Sequence, residues 1–127
     1  MTPDEWAALR PGTMVWESPL VSMGERGRPV LIITQATYQV ERRSGKTVFL
    51  ARILDDSLGT PVGYRADSIS KFHLSEWESY RATLRDRRAS RDLYATLARR
   101  YEESERQLAE FIAQKFGVKD VLDATET

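Results

Sequence analysis

The sequence predicts an α+β chain in which a small, strongly bent β-sheet or barrel precedes a helical C-terminal part. Three observations carry this expectation. Short apolar segments between Thr13 and Phe72 are separated by glycine, proline and charged turns, which is the rhythm of short strands in a small barrel. Between Ser75 and Gly117 neither Gly nor Pro occurs, and Glu, Arg, Leu and Ala dominate, as a helix requires. Ser75 and Glu78 have the spacing of a capping box and mark where the helical part begins. At 127 residues the chain holds one main domain with a real core. The expected division is a barrel with a short N-terminal helix over residues 1–74, a helical extension over 75–118, and a frayed tail over 119–127.

Each element follows from local chemistry. Thr2, Pro3 and Glu5 combine an N-cap, a proline at the first helical position and a capping-box acid, so a short helix should start at Pro3 and run to about Leu9. Pro11-Gly12 turns the chain into a first strand, Thr13–Glu17, expected to pack Met14 and Trp16 on one side. Leu20–Arg28 reads as a loop. Pro29, with φ held near about −65° and no N–H, suits the first residue of a strand. Val30–Ile33 then reads as a strand covered on both faces, with the Arg28 guanidinium at its mouth. Ala36, Tyr38 and Val40 share one face at period two. Arg42-Arg43-Ser44-Gly45-Lys46 forms a hairpin turn into the strand Thr47–Leu54, and Val62–Tyr64 and Ser68–Phe72 read as further short strands.

An unbroken helix of about 42 residues would extend roughly 63 Å, beyond the width of a compact chain of this size. Two helices are therefore expected, Glu76 to about Arg88 and Arg91 to Phe116, with Ser90 as a cap between them. The apolar positions Leu93, Leu97, Tyr101, Leu108, Phe111 and Ile112 form a stripe that something must cover: the barrel, the first long helix, a second subunit or a partner protein. Arg81, Arg85 and Arg88 lie on one segment, and Glu102, Glu103, Glu105 and Glu110 on the other. An antiparallel pairing would bring these opposite charges together.

Composition narrows the function. Lys plus Arg equals Asp plus Glu at 19 each, which argues against a strong, uniform positive field of the kind that coats DNA. The absence of Cys removes disulfides, thiolate metal sites and cysteine nucleophiles, and is compatible with the cytosol. No apolar run reaches the roughly 18 residues of a membrane span. The chain is expected to be cytoplasmic, with no membrane partner.

Three groups of residues carry chemistry. Arg65 and Asp67, one residue apart, would emerge on one face of an extended segment, where a carboxylate can take a proton and a guanidinium can stabilise charge developing on a phosphate. An ordinary surface ion pair is the plainer reading of the same spacing. Arg42, Arg43 and Lys46 at the hairpin tip, with Arg26 and the ring of Tyr38 nearby, would form a basic rim for a nucleic-acid backbone. His73, the sole histidine, reads as a structural hydrogen-bonding residue.

Three segments in order, Pro11–Trp16, Gly27–Thr34 and Tyr64–Ile69, resemble the MazF/PemK (Kid-like) toxin family over roughly residues 9–74. The resemblance implies an SH3-like barrel, a homodimer, and metal-independent cleavage of single-stranded RNA through attack of the ribose 2′-hydroxyl, with no cofactor. On this sequence it implies phosphate contact by Arg28, Asp67 as base, and Arg65 as acid or charge stabiliser. It departs from the family where a catalytic Thr is common, since this chain reads Arg52-Ile53-Leu54-Asp55, and in the loop before Arg28, which has no His. The expected function is thus a toxin-related endoribonuclease, with an antitoxin-like or host protein as partner. The alternative is a catalytically silent barrel acting by protein binding or regulation, a bacterial or phage accessory protein.

Overall fold

In the computed structural model, residues 1–23, 31–93, 98–119 and 121 are described. Two compact units emerge, one from Met1–Ser18 with Gln35–Ser79, the other from Pro19–Thr34 with Tyr80–Thr127. Arg26, Arg28, Pro29 and nearly all of the expected frayed tail lie outside the described residues.

The first unit is built on a curled, antiparallel, five-stranded half-barrel sheet. Helix α1 (Pro3–Ala7) starts with the expected capping box, Thr2 accepting from the Glu5 amide and Glu5 from the Thr2 amide. Strands β1 (Met14–Glu17), β4 (Thr37–Ser44), β5 (Thr47–Arg52), β6 (Val62–Tyr64) and β7 (Phe72–His73) pair in the order β6-β5-β4-β1-β7. Its inner face carries Val15, Val40, Val48, Leu50 and Phe72, which close on Trp6 and Leu9 from the N-terminal segment. Val15 is fully buried and Met14 is 44% exposed, so the face expected to pack in β1 is the outer one. Alternation distinguishes two faces but does not say which meets the core.

Ser68–Phe72 is not a strand: Ala66–Lys71 forms a 3-10 helix, and only Phe72–His73 pairs, with β1. Asp67, Ser68 and Ser70 favour such local turns over a ladder. In the outer row of the sheet, Gly63 lies under Phe49. A Cβ on Gly63 would come within 2.7 Å of Thr47 Cγ2 and 3.2 Å of the Phe49 ring. Gly63→Val is therefore expected to destabilise the unit by about 1–3 kcal/mol through overpacking, measurable by chemical denaturation. Unchanged stability would mean the ring swings aside freely.

In the second unit, β2 (Leu20–Met23) and β3 (Leu31–Thr34) form a separate two-stranded ribbon. The segment expected as a loop thus begins as a strand. Nor is β3 covered on both faces, since Ile32 is 50% exposed; an apolar run alone does not reveal how many neighbours a strand has. Helix α2 (Glu76–Leu93) begins with the Ser75 hydroxyl accepting from the Glu78 amide. It runs past Ser90, which is interior to the helix rather than a cap, and α3 spans Ala98–Phe116.

The two helices pair antiparallel. Tyr80 packs on Phe111 and Phe116 at centroid distances of 5.7 and 5.8 Å, while Arg88 and Arg91 reach Glu105 at 3.4 and 2.9 Å. Tyr80, Leu84, Leu108 and Ile112 are buried between them, so α2 covers Leu108 and Ile112 of the stripe, whereas Leu93 is 73% and Phe111 38% exposed. Arg87 also donates to the Val21 carbonyl and Thr83 to that of Pro19, tying α2 to the ribbon. No helix among the described residues is long and apolar enough to cross a membrane.

Candidate nucleic-acid interface

The β4–β5 hairpin turns on Gly45 and Lys46, between the paired residues Ser44 and Thr47. Gly45 has φ +59° and, among the described residues, no non-glycine residue has positive φ, the pattern of a two-residue type II′ turn with glycine at its first position. Counting outward from such a turn pairs Arg43 with Val48 and Arg42 with Phe49. Between Val40 and Arg42 the register shifts. Strict alternation would put Arg42 on the core face with Tyr38 and Val40. This bulge instead delivers it to the outer face, where its guanidinium carbon lies 3.9 Å from the Phe49 ring centroid. Arg43 goes to the other face and donates to the Trp6 carbonyl at 2.5 Å. The two adjacent arginines therefore have different tasks: Arg43 fastens α1 and Arg42 caps an aromatic ring.

A second approach to the same outer row comes from β6. Phe49 pairs with Gly63 and Val48 with Tyr64. Arg65 continues in extended conformation, φ −104° and ψ 177°, so alternation keeps it on the face of Gly63 and Phe49, one row nearer the hairpin tip. Asp67 then lies in the first turn of the 3-10 helix. The expectation that Arg65 and Asp67 share a face of one extended segment does not hold, because the backbone changes conformation between them. Both side chains are exposed and they make no ion pair with each other. Register thus gathers Arg42, Arg65 and the tip residue Lys46 at one end of the sheet, around Phe49.

Tyr38 is not part of this rim. It sits on the inner face, edge-on to Tyr64 and Phe72 at 6.4 and 5.7 Å, and its hydroxyl donates to Glu17 at 3.2 Å. Burial, then the Glu17 carboxylate, push the Tyr38 phenol well above its usual range, so it stays protonated and acts as a donor. Lys71 lies over the Tyr64 ring at 5.1 Å. His73 Nε2 and Ser18 Oγ are 2.7 Å apart across β7 and the end of β1, the hydrogen-bonding role expected of that histidine.

Phe49 is the residue that sequence reasoning overlooked. The clue was available, since a Gly-Lys turn places Arg42 and Phe49 opposite each other by simple counting. Among the described residues, no cluster of three His, Cys, Asp or Glu side chains could hold a metal ion. The arrangement offers instead a guanidinium set over an aromatic ring, two further cations and an unpaired carboxylate, a set suited to phosphates and bases. No family model, no curated protein and no solved structure matches this chain.

Proposed function

We propose that this protein binds single-stranded RNA at the hairpin end of its sheet and cleaves it there with Asp67 and Arg65. The observation that carries the reading is that these two groups are exposed, close along the chain and not consumed by pairing with each other. In the proposed step the Asp67 carboxylate takes the proton of a ribose 2′-hydroxyl. The 2′-oxygen forms a bond to the adjacent phosphorus, the bond from phosphorus to the 5′-oxygen breaks, and the leaving oxygen takes a proton from solvent. Arg65 stabilises the charge growing on the phosphate oxygens. Arg28 enters this reading as a phosphate contact through the resemblance to MazF/PemK toxins, as do the SH3-like barrel and the homodimer, and Arg26 enters it as part of the expected basic rim.

The test is cleavage of single-stranded RNA in excess chelator. Asp67→Asn is expected to lower the rate by about 10²–10⁴-fold, the usual worth of a general base, with the circular dichroism spectrum unchanged. Full activity in that variant would remove Asp67 as the base. A second reading, a silent barrel that binds protein, is favoured by the exposed side chains of Leu54, Leu58 and Val62, at 48, 52 and 52%. It predicts no cleavage by the unaltered chain.

A further inference from the structure

We propose that Arg42 and Phe49 form a seat for one unpaired nucleobase, which stacks on the outer side of the guanidinium plane. The inference rests on the RNA-binding part of the reading above but not on its cleavage step. Three features on three strands build the seat. Gly63 leaves room for the Phe49 ring beside it, because a Cβ there would lie 2.7 Å from Thr47 Cγ2 and 3.2 Å from the ring. Phe49 in turn supports the Arg42 guanidinium at 3.9 Å. The bulge at Val40/Arg42 gives up a regular ladder position, and what it achieves is to turn Arg42 onto that ring.

Such a layer is pre-organised. The guanidinium is planar and weakly hydrated, its central carbon lies 3.9 Å from the centre of an aromatic ring, and Arg42 is exposed to solvent. A base is the ligand whose flat π-surface matches a guanidinium plane, and it must be unpaired to reach the seat. Lys46 at the tip and Arg65 one row away stand where the phosphates flanking that base would pass, while Glu41, the extra residue of the bulge, is the neighbouring anion. Stacking of this kind reads the presence of a base more than its identity.

Fluorescence anisotropy with a labelled 2′-O-methyl oligoadenylate separates binding from cleavage, because the methylated strand has no nucleophile. The same strand with abasic positions serves as its comparison. Arg42→Lys, which keeps the charge and loses the plane, and Phe49→Leu are each expected to weaken binding of the base-bearing strand by roughly 10-fold. Neither should weaken binding of the abasic strand by more than about twofold. Thermal melts of both variants check that the sheet is intact, and Arg42→Lys, at an exposed position, keeps the test valid if Phe49→Leu unfolds. Equal binding of both strands by the unaltered protein, or no effect of Arg42→Lys, would overturn the seat. No binding of either strand would overturn it together with the RNA reading. Loss of cleavage alone would leave it standing.

Discussion

Phe72→Ala should cost the sheet-bearing unit about 3–5 kcal/mol, the range for removing a large ring from a closed core. Phe72 has no exposed surface and meets three other rings, Trp6 at 6.1 Å, Tyr38 at 5.7 Å and Tyr64 at 5.0 Å. It also stands in β7, the short edge strand that pairs with β1, so its side chain helps hold the point where the 3-10 helix rejoins the sheet. The cavity left by alanine would be lined by Trp6, which makes Trp fluorescence a direct reporter in a urea titration. Phe72→Leu fills most of the space and should cost clearly less, by about 1–1.5 kcal/mol. Equal losses for the two substitutions would mean that ring-ring geometry, not filled volume, sustains this core.

Glu105→Ala should be the most damaging polar substitution. The Glu105 side chain is only 7% exposed and is held by Arg88 at 3.4 Å and Arg91 at 2.9 Å, whose side chains are 24 and 30% exposed. Removing the carboxylate takes away a buried counter-charge that two neighbouring guanidiniums share. The expected loss is about 2–3 kcal/mol, somewhat below that of a fully buried pair because water reaches part of each arginine. Far-ultraviolet circular dichroism in a denaturant series reads it from the helices. Glu103 and Glu110, which pair with the exposed Arg106, provide the contrast. Alanine at either should change stability by less than about 0.5 kcal/mol. A Glu105 effect no larger than that would show that its pairing behaves as a surface contact.

How much of this was legible in the sequence differs from element to element. The starts of α1 and α2 were, because capping is settled by a hydroxyl and a backbone amide three residues apart, whereas Ser90, read as the cap of a further helix, is interior to α2. The β4–β5 hairpin was legible for the same reason. The attraction between Arg88 and Glu105 was visible as opposite charges on two helical segments, although only packing decided that it formed within one chain. Burial in β1 was not legible, since Met14, Val15 and Trp16 are all apolar and the assignment of Val15 to the core depends on α1 closing over that side.

The candidate site was legible as a list of cations but not as an arrangement. Arg42 and Arg43 look equivalent in sequence, yet a single-residue bulge sends one to Phe49 and the other to the Trp6 carbonyl. Arg65 and Asp67 were read as two points on a straight strand, and the backbone winds into a 3-10 helix between them. The Val30–Ile33 run suggests a strand covered on both faces, and instead, among the described residues, Leu31–Thr34 pairs only with β2.

The sequence by itself determined where α1 and α2 begin, where the main hairpin turns and which residue types stand ready to meet phosphate. These are interactions between groups a few residues apart, and their energies do not depend on the rest of the chain. Tertiary structure alone decided which face of each strand is buried, which strands share a sheet and that Phe49 lies beneath Arg42. Those outcomes are set by register and by competition for the core between segments distant in sequence, and a bulge of one residue is enough to reverse them.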